Sequence, residues 1–100
     1  MTATRRLLSS DVLAVELGPE RTLPLDTLAD VEVGLWSMAP GTERDTETDE
    51  VFVVLAGRGS VAFEDGEVVD LAPGTAVRLR AGERTTWTVT EPLRKVYVAL

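Results

Sequence analysis

The stretch GTERDTETDE, residues 41–50, puts five carboxylates into ten residues: Glu43, Asp45, Glu47, Asp49 and Glu50. On an extended chain, residues two apart point to the same side, so Glu43 and Asp45 could converge with Glu50. Such an all-oxygen set would suit Mg²⁺, Ca²⁺ or Mn²⁺ rather than zinc. With no cation between them, the three groups would raise one another's pKa values. The simpler reading, and the preferred one, is a solvated acidic loop holding Glu43, Asp45 and Glu47, because acidic runs usually keep a face wet.

The residue types that are missing narrow the chemistry further. The chain has no cysteine and no histidine. This excludes disulfides, thiolate metal sites, cysteine nucleophiles and a Ser-His-Asp triad. It also removes the commonest general base and the commonest transition-metal ligand. The net charge of −7 repels phosphate backbones, so nucleic acid is not an expected partner.

Seven other positions could do chemistry. Thr85 and Trp87 are two apart and share a face. If that face is the interior, Trp87 is either an aromatic wall for a small ligand, with the Thr85 hydroxyl beside it, or a core side chain. Trp36 could line the same pocket or a subunit contact. Arg78 and Arg80 alternate with Val77 and Leu79. They could bind an anion bidentately, with Arg80 the candidate, although an outer face paired with carboxylates is the preferred reading. Lys95 and Tyr97 share a face opposite Val96 and Val98, and a Tyr-Lys pair can do acid–base work, although a structural role is preferred.

One hundred residues fit one domain spanning 1–100. No apolar run approaches the ~18 residues that a membrane helix needs. The opening MTATRRLLSSDVLAV is too polar and too short for a signal peptide, so the expectation is a cytoplasmic protein with no membrane partner. Helical periodicity is weak throughout. Short Val-rich runs separated by Gly, Pro and Asp-Gly turns predict an all-β sandwich or small barrel. The expected strands are 12–17, 31–38, 50–57, the hairpin 59–71 around Asp65-Gly66, a strand within 72–82, then 84–92 and 94–100. DTLADVEV is expected to hold one short turn at most, and 50–57 reads as a strand buried on both faces.

Several segments carry a family resemblance. GLWSMAPG (34–41) resembles a Gly-x-Trp…Pro-Gly entry. DEVFVVLAGRGSV (49–61) resembles the end of a first cupin motif, with six residues between Glu50 and Gly57. DGEVVDLAPGTAVRLRAGERTTWTVTEPLRKVY (65–97) resembles a second motif followed by a Glu-Pro-x-Arg-Lys-x-Tyr ending. Residues 34–97 thus resemble small single-domain cupins of the (S)-ureidoglycine aminohydrolase and ethanolamine-utilisation type. The resemblance implies a jelly-roll barrel (a double-stranded β-helix) with its site in the barrel mouth. Residues 1–30 would supply an N-terminal strand and connection.

In metal-dependent cupins the first motif supplies two histidines and a glutamate, and the second supplies a third histidine. Glu50 matches the glutamate. The histidine positions fall on Glu43 and Asp45, or on Arg44 and Thr46 with a shorter gap, and on Thr85. Every histidine is replaced, so no transition-metal cofactor is expected. A divalent cation on Glu43, Asp45 and Glu50 is the weak alternative. The functional expectation is a small polar molecule bound in the barrel, with Trp36, Glu50, Arg80, Thr85, Trp87 and Tyr97 as candidate binding residues. A second reading is a hydrolase or isomerase acting on a small nitrogen-containing metabolite, with Glu50 as the candidate catalytic residue. A third is a non-catalytic structural or dimerisation module. A homodimer is expected.

Overall fold

The computed structural model describes residues 6–100; residues 1–5, at the start of the segment weighed above as a targeting signal, lie outside it. Seven strands, and no helix, are found among the described residues: β1 (Thr22–Leu28), β2 (Val31–Met38), β3 (Gly41–Thr46), β4 (Glu50–Phe63), β5 (Val68–Leu71), β6 (Ala76–Leu79) and β7 (Arg84–Ala99). All pairings are antiparallel, in the order β1-β2-β7-β4-β5, with β3 also on β7 and β6 also on β4.

The two long strands make this one sheet into two layers. The C-terminal half of β7 lies between β2 and the first half of β4, whereas its N-terminal half lies between β3 and the second half of β4. The β4–β7 register slips repeatedly between Val54 and Gly59, so both strands bend there. Gly57 sits at the bend with φ +92°, and a Cβ at that position would overlap the carbonyl of Pro92. Only glycine satisfies both the backbone conformation and the approach of the neighbouring strand. The layers close over one cluster that takes Phe52, Val54, Leu79, Leu93 and Tyr97 from one half and Val61, Leu71, Trp87 and Val89 from the other. This is the expected all-β, jelly-roll arrangement.

Several element expectations need correction. The pairs 50–57/59–63 and 84–92/94–100 are each one continuous strand, because Gly57 and Pro92 bend the chain without ending the ladder. Val51 is 46% exposed, so the start of β4 is buried on one face only. Residues 12–17 form no strand. Asp11 instead anchors a turn, its Oδ1 accepting from Leu13 N and its carbonyl from Ala14 N and Val15 N. The carbonyls of Val12 and Val15 then accept from Arg94 Nη1, which lays this segment over the outer face of the sheet. Leu35, fully buried, lies on that same face.

The strand the sequence pattern hides is β1. It carries Pro24, Asp26 and several exposed residues, yet pairs with β2 along its length and turns into it through Ala29 and Asp30. As an edge strand it tolerates a proline.

Candidate functional site

The site grows out of cross-strand register. In the β2–β7 ladder Gly34 faces Tyr97, and Trp36 faces Lys95. A Cβ on Gly34 would lie 2.5 Å from the Tyr97 hydroxyl oxygen, so the glycine is the seat on which the tyrosine ring rests. The Gly-x-Trp entry and the Lys-x-Tyr ending, far apart in sequence, are therefore the two halves of one interlock. The Tyr97 hydroxyl donates to Glu32 Oε2 at 2.6 Å. Burial first, then this hydrogen bond and the nearby carboxylate charge, pushes the Tyr97 phenol above its ordinary value.

Lys95 enters the interior from β7 and is 5% exposed. Its Nζ donates to Glu50 Oε2 at 2.7 Å. The same ammonium lies 4.4 Å from the ring centroid of Phe52 and 4.7 Å from those of Trp36 and Trp87. The two tryptophans are in contact, with centroids 5.5 Å apart and planes tilted at 52°. A desolvated cation over an aromatic face gains ~2 kcal/mol or more, so three faces and a carboxylate offset much of the cost of burying this charge.

Glu47 is the residue that the sequence reading misplaced. It was expected on a solvated loop, but it is 8% exposed. Its Oε2 accepts from the Thr85 hydroxyl at 2.6 Å and from Trp87 Nε1 at 3.0 Å. Backbone bonds tie it down on both sides: its N donates to the Glu83 carbonyl, and its own carbonyl accepts from Gly82 N. The acidic stretch preceding it is not a loop either. Residues 41–46 form β3, paired with β7 so that Glu43 faces Trp87 and Asp45 faces Thr85. Alternation then turns Glu43 and Asp45 toward the barrel mouth, and the chain leaving β3 folds Glu47 inward. A polar sequence with no apolar residue among positions 41–50 gives no burial signal for this.

Around these groups lies a cavity of about 100 Å³, lined by Trp36, Trp87, Tyr97, Lys95 and four carboxylates, Glu43, Asp45, Glu47 and Glu50. Of the expected ligand-binding set, Trp36, Glu50, Trp87 and Tyr97 meet here, and Thr85 holds Glu47 from behind. Arg80 does not join them. It is exposed at the end of β6, its N–H donating to Glu83, while Leu79 beside it points into the core. Arg78 lies on the outer face and pairs with Asp49 at 3.0 Å. Lys95, Glu47 and Glu32 are the site groups absent from the sequence-derived set. The Lys-x-Tyr alternation was the one available signal for Lys95. A larger groove of about 610 Å³ lies outside the barrel mouth, along Arg44, Thr46, Arg84 and Thr86, but it is open to solvent and encloses no buried charge.

The chain matches the model of the EutQ-like cupin domain over residues 25–97. The protein belongs to the EutQ-like cupin family. Among solved structures, this cupin is similar to a protein of unknown function from Rhizobium leguminosarum bv. viciae 3841, with 29% identity, a TM-score of 0.75 and coverage of 99% of this chain and 97% of that one. It is also similar to a DUF861 family protein from Thermotoga maritima, with 30% identity, a TM-score of 0.61 and coverage of 66% and 76%. A putative ethanolamine utilization protein Q from Salmonella typhimurium LT2, at 24% identity, shares the fold with a TM-score of 0.67 over 78% of this chain and 66% of that one. A comparison with the curated proteins finds no match.

The cupin's own residues do not fit a metal centre. Among the described residues no group of three carboxylates, histidines or cysteines is placed to hold a metal ion. Glu43 turns to Arg21, with the guanidinium bidentate on the carboxylate at 2.8 and 3.2 Å, and Arg21 also lies 5.4 Å from the Trp36 ring. Thr85 holds Glu47, and Glu50, the retained glutamate, already has the Lys95 ammonium at 2.7 Å. Two of the three carboxylates weighed for a divalent cation, Glu43 and Glu50, are thus each engaged by a cationic side chain of the protein.

Proposed function

We propose that this cupin binds a small polar molecule in the barrel mouth without a transition metal. The observation that carries this is the cavity of about 100 Å³, walled by Trp36, Trp87 and Tyr97 and fixed by charged groups that are themselves anchored. Its volume is about three times the ~30 Å³ share of one water, room for roughly three or four non-hydrogen atoms. That is far below the ~300–1,000 Å³ of sites for drug-sized ligands. Elemental analysis of protein purified without chelator is expected to find no stoichiometric Mn, Fe, Ni or Zn; one equivalent of any of them would sink the metal-free reading.

The hydrolase or isomerase reading names Glu50 as the base, and Glu50 is engaged by Lys95, so binding is the reading pursued. Two further proposals go with it. The outer face carries exposed Val51 and Val98, adjacent in the β4–β7 ladder, with Leu28 and Leu100 also exposed. A second copy related by a twofold axis would cover them, giving a homodimer. A monomer by light scattering at micromolar concentration would contradict that. A cytoplasmic setting is also proposed, in keeping with a sequence that has no cysteine to form disulfides.

A further inference from the structure

The charges lining the cavity are not balanced, and the imbalance points to the class of ligand. Four carboxylates and one ammonium face the space. Two of the carboxylates are already compensated, Glu50 by Lys95 and Glu43 by Arg21. Asp45 and Glu47 have no Lys or Arg nitrogen within ion-pairing distance among the described residues. Asp45 is exposed, and its Oδ1 accepts from the adjacent Thr46 N–H, so water satisfies the rest of it.

Glu47 is different, because more than nine-tenths of it is buried. Both of its side-chain hydrogen bonds arrive on Oε2, from Thr85 and Trp87, and Oε1 receives none. Yet no fully enclosed side-chain oxygen lacks a partner among the described residues, so Oε1 is not sealed in protein but opens on the cavity that Glu47 lines. A buried carboxylate is costly unless it is paired as well as hydrogen-bonded. Here the hydrogen bonds orient the group and leave one oxygen for a donor that the protein does not supply. The adjoining walls suit a positive charge: Trp36 and Trp87 already take a cation, Lys95, against their rings.

We infer that the ligand of this cavity is a small organic monocation, a primary ammonium or guanidinium of about four non-hydrogen atoms or fewer, with its N–H donors on Glu47 Oε1 and its charge facing Asp45 and the tryptophan rings. This rests on the small-molecule reading above and specifies its chemistry. An anionic ligand would meet two unpaired carboxylates, with the only ammonium of the cavity already committed to Glu50.

The Trp87 indole N–H donates to the same carboxylate, so its amide-type NMR signal reports directly on Glu47. The full-length protein, its two indole signals assigned with a Trp36→Phe variant, would be titrated at constant ionic strength. The probes are ethylammonium, guanidinium, acetate and acetamide. The expected result is a saturable shift of the Trp87 signal with ethylammonium or guanidinium, at least tenfold weaker or absent with acetate and acetamide, and at least tenfold weaker in Glu47→Gln. Acetate or acetamide binding as tightly as the cations would overturn the cationic assignment and leave the binding reading standing. Saturation with none of the four would overturn both. If Glu47→Gln does not fold, the wild-type comparison of ethylammonium with acetate decides the question by itself, since the two ions are matched in size and opposite in charge.

Discussion

Glu43 and Asp45 on one side, and Glu47 and Glu50 on the other, come from the same acidic stretch and meet opposite fates. All six residues of β3 are exposed. Glu43 meets Arg21 in a pair whose members are 46% and 39% exposed. Within a few residues, Glu47 is buried among hydrogen-bond donors and Glu50 is locked to Lys95 in a pair that is 13% and 6% exposed. A carboxylate at the rim is stabilised mainly by water, and its ion pair is worth little. A carboxylate in the barrel depends mainly on its partners, because little solvent reaches an unpaired charge there. Composition therefore says nothing about which acidic residues matter; the partner brought by β7 decides it.

The sharpest way to break this contrast is Lys95→Ala. It leaves Glu50 buried without its partner and removes the cation from three aromatic faces. The expected loss is ~3–5 kcal/mol of unfolding free energy, read by denaturant titration. Replacing both partners with apolar residues, as in Lys95→Met with Glu50→Leu, is expected to cost less than Lys95→Ala alone. A Lys95→Ala cost under about 1 kcal/mol would mean that the pair behaves like a surface one.

Glu47→Ala comes next. It removes the carboxylate that accepts from the Thr85 hydroxyl and leaves the Trp87 indole N–H with Thr85 Oγ1 as its one remaining acceptor, at an expected ~1–3 kcal/mol. The matching change at the rim, Asp45→Ala, touches no buried donor and is expected to stay within about 0.5 kcal/mol. Equal costs for the two would erase the distinction between buried and rim carboxylates.

Tyr97 offers a pH test of the interior. Its folded-state pKa is raised above the ordinary 10.0, so its contribution to stability is fully present below pH 10 and is lost only as pH rises toward the folded value. It is the single tyrosine of the chain, so absorbance near 295 nm follows it alone. The native protein should show no phenolate where the guanidinium-unfolded chain is already half ionised. Coincident titrations would refute the buried hydrogen bond to Glu32.

Glu43→Gln should have the smallest effect, under about 1 kcal/mol and further reduced by salt. The hydrogen bond from Arg21 holds the Glu43 carboxyl below its usual 4.5, so what stability it adds is present above that pH and fades as pH falls through the lowered value. A Glu43→Gln cost that persisted unchanged at pH 3 would show that the effect is not the ion pair.

The legible part of this fold was the part written in apolar alternation and turn residues. β2 was readable over its full span from Val31–Met38, and Asp65-Gly66 marked the β4–β5 hairpin, where Glu67 N donates to Asp65 Oδ1. β1 and β3 were not readable, because an edge strand gets its pairing from a neighbour and need not be apolar. Within the site, Trp36, Trp87, Thr85 and Glu50 could be nominated from spacing and resemblance. Glu47 could not, since its burial comes from donors 38 and 40 residues away on β7.

The sequence by itself determined the class of the fold and a set of exclusions. Short alternating runs and glycine turns demand an all-β sandwich or small barrel, and a chain with no histidine or cysteine lacks the usual transition-metal ligands. Only the tertiary structure decided which charges are chemistry and which are surface. The β2–β7 register puts Gly34 under Tyr97 and Trp36 on Lys95, and the chain leaving β3 brings Glu47 to Thr85 and Trp87. The physical reason is that a carboxylate's character is set by the dielectric and the partners around it, and both come from strands distant in the chain.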